Sequence, residues 1–524
     1  MKLHRLPEYI LITTVLLAGM GLALYCGRAI GTGQTSTVVA IFAVAVAIFV
    51  LLWMRARVWM LIPITWGFAG QIYQLPLPFA VRDLVIVFVF ASFFALIALK
   101  IVRRKPVYEP LDYLLMVNIL YVAIAFVRHP VGIFELGTKR VGGKPYFILF
   151  VACLAYWVLG RVLMSPKQAR KLPFFMIAAR SVEMVFNFVA FHFPSTAPVL
   201  SHLYSGVEIS GETAQGAKET DVRQAYLGFF ALPLLTGLCS YFRPLTLINP
   251  LYMGRFIAFL IGIYGLLQSG HRSYVMAAAF AFAAASYFQK GMIDLVKIVV
   301  FGIPCVIFLI ASQGVLFELP MPAQRALSFL PGNWNYNVVS DAKGSTEWRT
   351  QMWKIVLTTD KYIENKWLGD GFGFTIEQFQ AMEHATALKT GGADQENQMI
   401  VGGVHSGPIS AIRYVGVLGL VLYLILLVQM ARYALRLIGR CRNTPFFVVS
   451  LFLGIPAIFE PINYVFIFGG YENALPNSVF TVAMLRLISN SREAWQPAVE
   501  IAPAPEEKFV HVRSNLPSRL PVPA

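Results

Sequence analysis

The sequence predicts an all-α polytopic membrane protein with about 12–14 transmembrane helices and one large, partly helical periplasmic loop. Three observations predict this fold class. The 524-residue chain is 57% hydrophobic and only 13% charged, with a mean hydropathy of +0.64. Apolar stretches of bilayer-spanning length recur along most of the chain. Its 41 phenylalanines and 22 tyrosines are typical of lipid-facing helices and of aromatic belts at membrane–water interfaces.

The apolar stretches predict about fourteen helices, each near the 20 residues that a bilayer requires. They lie at 9–27, 36–54, 58–76, 83–99, 111–127, 146–164, 173–193, 224–241, 251–268, 273–288, 293–312, 406–430, 445–468 and 475–490. The first stretch has no small-residue cleavage site, so we expect it to be a helix rather than a cleaved signal peptide. The stretch at 58–76 contains Pro63, Pro76 and Pro78, and a re-entrant or broken element remains an alternative there.

Charge gives the predicted orientation. With the N-terminus in the cytoplasm, most of the basic loops fall on the inner side, as the positive-inside rule requires. The inner basic residues include Arg55, Arg57, Lys100, Arg103, Arg104, Lys105, Lys167, Arg170, Lys171, Lys290, Lys297, Arg432, Arg436, Arg440 and Arg442. We therefore expect an even number of helices and both termini in the cytoplasm. The net charge of +16 lies in short loops between apolar segments, which is a topology signal and argues against nucleic-acid binding.

This pattern divides the chain into four parts. Residues 1–312 form an N-terminal transmembrane bundle of about eleven helices with an outer loop at 194–223. Residues 313–405 form a large periplasmic loop, whose four tryptophans predict that it is ordered. Residues 406–490 form the C-terminal transmembrane helices, and 491–524 are a Pro-rich, disordered cytoplasmic tail. The five cysteines form no CxxC pair and imply neither a disulfide framework nor a zinc site.

Two short motifs on the predicted outer face carry cations. In "GHRSY" (270–274), Gly270 permits a tight reversal that places His271 and Arg272 at the membrane surface. In "WRTQMW" (348–353), Arg349 and Trp353 are four residues apart and share a helix face. A guanidinium is suited to binding phosphate oxygens. The alternatives are an interfacial anchor for Arg272 and a surface arginine stacked on a core tryptophan for Arg349.

The third motif is "HSGPISAIRYVGVLGL" (405–420), which opens a membrane helix. His405 is a candidate general base for a hydroxyl nucleophile, or else a cap of its own helix. Arg413 lies within the span, where an unpaired charge costs several kcal/mol, so it requires a carboxylate, an anionic ligand or a wet cavity. Glu460 is a second intramembrane charge, and it is a candidate partner of Arg413, proton carrier or acceptor-site ligand.

No P-loop, GxSxG, HExxH or clustered metal ligands occur in the sequence. Outer loops also lack the paired aspartates of metal–sugar-nucleotide sites. An enzyme acting on this face is therefore expected to hold a diphosphate with positive side chains and to need no metal or other cofactor.

The order of "GHRSY", "WRTQMW", "WLGDGFGF" (367–374) and "HSGPISAIRYVGVLGL" resembles that of the O-antigen ligase and polymerase family of bacterial cell-envelope glycosyltransferases. The resemblance covers roughly 255–430, with "HS" where "HN" is common. It implies a GT-C-like bundle in the bacterial inner membrane, active on the periplasmic face in O-antigen or exopolysaccharide biosynthesis. The implied reaction is inverting transfer of a glycan from an undecaprenyl-diphosphate carrier to a hydroxyl of a glycan, lipid A-core or other acceptor.

Under this resemblance Arg272 and Arg349 hold the diphosphate and His405 orients or deprotonates the acceptor, while His271, Trp353, Arg413 and Glu460 contribute to substrate binding. The alternative function is a polysaccharide flippase or secondary transporter that uses Arg413 and Glu460 as intramembrane sites. A non-enzymatic envelope scaffold is a third reading. It predicts that the three catalytic candidates are dispensable.

Overall fold

The computed structural model describes residues 53–72, 79–100, 106–130, 142–207, 223–373, 393–400 and 402–495, together with scattered positions between 25 and 50. The predicted stretches at 9–27 and 36–54 lie largely outside these residues, as does nearly all of the predicted tail at 491–524. Within the described part of the chain the regular secondary structure is helical and no β-strand occurs.

The helices are numbered here in chain order. They are α1 (Leu61–Thr65), α2 (Val81–Ala98), α3 (Pro110–Arg128), α4 (Gly143–Leu159), α5 (Pro166–His192), α6 (Ala197–Leu203), α7 (Ala225–Tyr241), α8 (Pro244–Leu247), α9 (Met253–Gln268), α10 (Arg272–Lys290), α11 (Met292–Ser312), α12 (Met321–Leu327), α13 (Tyr336–Thr358), α14 (Ala393–Ile400), α15 (Gly407–Cys441), α16 (Phe447–Ile462) and α17 (Tyr471–Trp495). A single π-helical turn, Asn463–Ile467, follows α16.

Six of the described helices are long and apolar enough to cross a membrane. They are α2, α3, α5, α11, α15 and the continuous stretch Phe447–Ile467. Three shorter apolar helices, α4, α7 and α9, fall in other predicted spans. The structure is therefore consistent with the predicted all-α polytopic membrane protein. The largest differences from the predicted boundaries are at three helices: α5 begins at Pro166, before 173; α15 continues to Cys441, beyond 430; and α17 runs from Tyr471 to Trp495, beyond both ends of 475–490.

The stretch at 58–76 is a broken element within its described residues. A 3-10 helix, Arg55–Met60, leads into α1, which ends at Thr65. The chain then leaves the helix because its backbone finds other partners: Arg180 donates from Nη1 to the Gly67 carbonyl at 2.7 Å, and the Gly70 amide donates to the Tyr204 hydroxyl at 3.2 Å. This agrees with the broken-element alternative rather than with a continuous helix over the described part of this stretch.

Helix α11 shows the inside-out pattern of a lipid-facing element. Its buried residues are Asp294 and Ser312, whereas Phe301 and Phe308 are more than half exposed. Asp294 is paired with Arg243 at 2.9 Å. Apolar side chains face outward because hydrocarbon, not water, is their natural surroundings, and the carboxylate is turned inward to its partner.

The largest core cluster joins α15, α16 and α17 to α3 and α4. At one end of this core, Arg486 of α17 is only 2% exposed and forms ion pairs with Glu109 and with Asp112, the latter at 3.0 Å. The same guanidinium also donates a hydrogen bond to the Val107 carbonyl at 2.8 Å, so its contacts are with the protein. This buried cluster ties the start of α3 to α17.

The opposite end of the core is where α15 begins, α16 ends and α17 begins; we call it the outer end, following the predicted topology. Here the segment after α13 inserts into a break in α15. Gly416 interrupts the helix with φ 69° and ψ −179°. Four backbone hydrogen bonds join the two segments: from the amides of Asp370, Gly371, Val417 and Leu418 to the carbonyls of Arg413, Tyr414, Lys366 and Trp367, at 2.9–3.3 Å.

Candidate functional site

Two cavities lie side by side at the outer end. The polar cavity has a volume of about 280 Å³ and is formed by the segment before α15 and the connection between α16 and α17. Its lining residues are Gly402, Gly403, His405, Glu460, Asn463, Phe468, Gly469, Gly470, Glu472, Asn473, Ala474 and Asn477.

The apolar cavity has a volume of about 190 Å³ and lies between α7, α10 and α16. Its walls are mainly aliphatic and aromatic, and Ser273 and Tyr274 on the first turn of α10 contribute to it. Glu460, Asn463 and Phe468 line both cavities. These three residues therefore form a boundary between a polar compartment and an apolar one.

His405 lines the polar cavity immediately before α15. Its backbone has φ 53°, a left-handed conformation that costs a non-glycine residue about 1–2 kcal/mol. The imidazole packs between two aromatic rings, with its centroid 6.0 Å from the Trp348 ring and 5.5 Å from the Phe468 ring. Strained backbone is often concentrated at functional sites. The two aromatic rings hold the half-buried imidazole in the cavity wall.

Helix α13 is packed against this histidine segment. Trp353 donates from Nε1 to the Val404 carbonyl at 2.7 Å, and Trp348 contacts His405 from the same helix. Trp353 also packs against a small outer-loop core that includes Met352, Val356 and Val404. The predicted substrate-binding residue Trp353 thus holds the backbone next to His405, and it does not line either cavity.

Arg349 and Arg272 are brought near one another from different helices. Burial, and secondarily the positive charge of Arg272, lower the pKa of the Arg349 guanidinium. The Nε atom of Arg349 is buried and has no hydrogen-bond partner among the described residues. Among the described residues, neither Arg272 nor Arg349 forms an ion pair with a carboxylate. Two adjacent, partly desolvated cations without a counter-charge raise each other's energy, and an anion between them would relieve it.

His271 precedes Arg272 but belongs to a different cluster. Its ring packs on Tyr274 at 5.2 Å, and Gly270 reverses the chain beside it with φ 68°, as the sequence predicted. Burial lowers the pKa of His271, and the nearby charges of Arg223 and Arg325 lower it further. His271 itself does not line the apolar cavity, whereas Tyr274, on which it packs, does.

Arg413 is enclosed by the segment between α13 and α15. Arg413 is 1% exposed, and its guanidinium donates hydrogen bonds to the carbonyls of Tyr362 and Ile400, the latter at 3.1 Å. Its nearest carboxylate is Asp370 at 3.5 Å. The structure therefore gives Arg413 a carboxylate other than Glu460, and its guanidinium faces backbone rather than the two cavities.

Glu460 lies at the end of α16, between the two cavities, and accepts a hydrogen bond from Asn463 Nδ2 at 3.3 Å. The polar cavity also contains residues that the sequence analysis did not select: Phe468, Glu472, Asn473 and Asn477. The cluster of polar residues in "GGYENALPNS" (469–478), directly before an apolar stretch, was the available signal. It was overlooked because these residues do not form a recognised catalytic motif.

The chain matches no protein-family model. No curated protein matches it either.

Proposed function

We propose that the chain is a bacterial inner-membrane glycosyltransferase that moves a glycan from an undecaprenyl-diphosphate carrier to an acceptor hydroxyl on the periplasmic face. The observation that carries the proposal is the pair of neighbouring guanidiniums, Arg272 and Arg349. Arg272 directly precedes Ser273 and Tyr274, which line the apolar cavity, and Arg349 directly follows Trp348, whose ring lies beside His405 of the polar cavity. This combination fits a substrate with an isoprenoid tail, a diphosphate and a sugar. Three details of the predicted fold are part of the same proposal: about 12–14 spans, a GT-C-like bundle and both termini in the cytoplasm.

The two arginines would bind the diphosphate. A diphosphate leaving group gains negative charge as its bond to the sugar breaks, and cations in a partly desolvated site stabilise that charge most effectively. Burial and the charge of Arg272 lower the pKa of the Arg349 guanidinium, and its buried Nε has no hydrogen-bond partner among the described residues, which supports a role in binding an anion. Arg272 opens α10, whose next residues, Ser273 and Tyr274, line the apolar cavity. The head of a lipid in that cavity would therefore lie near Arg272.

His405 would act on the acceptor. In the proposed step the acceptor oxygen forms a bond to the anomeric carbon of the donor sugar, and the bond from that carbon to the diphosphate oxygen breaks. The diphosphate leaves with the bonding electrons, and the acceptor proton passes to the imidazole nitrogen. Attack opposite the leaving group inverts the anomeric configuration. A neutral imidazole has suitable basicity for this transfer near pH 7.

Arg413 and Trp353 have supporting roles in this proposal. Arg413 fixes the segment at 360–372 against α15, and Trp353 fixes the chain at Val404. Both contacts determine how α13, which carries Arg349, lies relative to His405. These residues would act through the geometry of the site and not by touching the substrate.

The test uses the purified full-length chain and an undecaprenyl-diphosphate-linked oligosaccharide with an added acceptor oligosaccharide, in the presence of EDTA. We expect glycan transfer by the wild type and its loss in Arg272→Ala, Arg349→Ala and His405→Ala. Lys354→Ala is the matched control, because Lys354 is an exposed cation on the same helix as Arg349. Full activity in the His405 variant would refute its role as base, and absence of transfer by folded wild type would refute the function.

The transporter alternative relies on Arg413 and Glu460 facing a substrate path. Glu460 does line a cavity, whereas Arg413 is enclosed by backbone carbonyls. The same preparation, reconstituted into liposomes, separates the two functions. Movement of lipid-linked glycan across the bilayer without any transfer to the acceptor would favour the transporter.

A further inference from the structure

The lining of the polar cavity has an uneven chemistry. Its charged or titratable members are Glu460, Glu472 and His405, and no lysine or arginine lines it within the described part of the chain. The arginines that could hold an anion, Arg272 and Arg349, lie outside the residues that line this cavity. Any group that enters the polar cavity therefore meets two carboxylates.

The asparagine side chains strengthen this preference. Asn463 donates its amide nitrogen to Glu460 at 3.3 Å, and Asn473 donates its amide nitrogen to Glu472 at 3.2 Å. Since a carboxylate only accepts hydrogen bonds, these contacts determine which way both amides point. Each amide keeps its carbonyl oxygen as an additional acceptor. The cavity wall is consequently rich in acceptors, which hydroxyl or ammonium groups can satisfy and which carboxylate or phosphate groups cannot.

Glu472 is built into the cavity wall. Its residue is 5% exposed, and its Oε2 accepts a hydrogen bond from Ser410 of α15 at 3.3 Å. The Ser410 hydroxyl in turn accepts from the Tyr471 amide at 2.9 Å. Phe468 adds an aromatic face next to His405. An aromatic surface with carboxylate and amide acceptors is suited to a sugar ring, whose faces are apolar and whose edge carries hydroxyls.

We infer that the polar cavity binds the acceptor end of a glycan whose terminal sugar is neutral or bears an amine, and that it rejects a terminal uronic acid or sugar phosphate. Calling this group the acceptor rests on the proposed function; the binding preference itself rests on the lining. A carboxylate or phosphate placed there would face Glu460 and Glu472 at short range in a partly desolvated site. Like charges at such distances are strongly disfavoured.

The experiment compares two trisaccharides that differ only at C6 of the terminal sugar: one ends in glucose and the other in glucuronate. Binding to the purified full-length chain in detergent is measured at pH 8 by saturation-transfer NMR and titration. We expect the glucose-ended ligand to bind at least about tenfold more tightly. Glu460→Gln and Glu472→Gln should each reduce this ratio several-fold, since each removes one repelling charge with little change in shape.

Glu347→Gln is the matched control, because Glu347 is an exposed acid of α13 that does not line the cavity. Equal or tighter binding of the glucuronate-ended ligand would overturn the inference. So would an unchanged ratio in Glu460→Gln, or an equal loss of discrimination in Glu347→Gln, which would indicate a general field rather than this cavity. Glu460→Gln keeps the test valid if the buried Glu472 variant fails to fold.

The same two ligands are offered as acceptors in the transfer assay. Discrimination in binding without transfer to either ligand would refute the proposed function and leave the cavity's preference intact. Transfer to both ligands at equal rates would uphold the function and refute the preference.

Discussion

The break in α15 at Gly416 gives the sharpest structural prediction. Gly416 has φ 69° and ψ −179°, a region of backbone conformation that is essentially restricted to glycine. A Cβ at this position would lie 2.5 Å from the Leu368 amide nitrogen, which is backbone and cannot turn aside. Gly416→Ala must therefore strain α15 and push away the segment that contains Leu368.

The expected cost has two parts. The backbone conformation alone costs alanine about 1–3 kcal/mol. Moving the 366–371 segment also weakens four backbone hydrogen bonds, each with a net value of about 0.5–1.5 kcal/mol. Losing half of these contacts brings the total to about 2–6 kcal/mol, a large share of the stability of a typical domain.

Gly439→Ala is the matched control within the same helix. Gly439 has helical geometry and is exposed, and nothing lies within 4 Å of the position that its Cβ would occupy. Alanine there should stabilise the helix by up to about 1 kcal/mol. The two substitutions add the same methyl group to the same helix with opposite expected effects.

Thermal unfolding of the detergent-solubilised chain measures stability, and limited trypsin digestion reports on Lys366 in the displaced segment and on Lys361 shortly before it. We expect Gly416→Ala to unfold at lower temperature and to be cut faster there, with reduced glycan transfer because α13 and Arg349 are attached to that segment. The reasoning is refuted if Gly416→Ala is as stable as Gly439→Ala and is cut no faster than the wild type.

Two further predictions concern buried charge. Arg486→Met should destabilise the chain by about 3–5 kcal/mol because it leaves two carboxylates at the start of α3 without their cation; substitution of the exposed Arg436 by Met should change thermal stability little, and equal effects would contradict this account. The second prediction concerns pH. The pKa of His271 is lowered in the folded chain, so the folded state binds this proton less readily than the unfolded state, whose histidine pKa is about 6.5. Stability should therefore fall as pH drops below about 6.5, and His271→Gln should lessen this fall; parallel melting curves for the two proteins between pH 5 and 8 would argue against it.

Much of the architecture follows from local sequence. Apolar stretches from about 83 onward correspond to described helices, because a bilayer-spanning segment must satisfy its own backbone hydrogen bonds and helix formation does so locally. The positive φ of Gly270 and the helix that carries Arg349 and Trp353 were likewise predictable from short motifs. The number of spans, the orientation and the catalytic roles of Arg272, Arg349 and His405 stay predictions.

Other features depended on packing between distant segments. The sequence showed that Arg413 needed a partner but could not choose among carboxylates, and the partner in the structure is Asp370 in the outer loop. Backbone groups make the contacts of the insertion at Gly416. Glycines are therefore the only sign of this insertion in the sequence. The polar cavity joins residues near 403 and 470 that are far apart in the chain.

The sequence by itself determined that this chain is a helical membrane protein with cations and a histidine in three successive short motifs, because hydropathy and motif spacing are local properties. Only the tertiary structure decided that Arg349 lies near Arg272, that Trp348 and Phe468 enclose His405, and that Glu460 separates a polar cavity from an apolar one. Those relations depend on how helices separated by tens of residues pack against each other. Spacing along one helix does not contain that information.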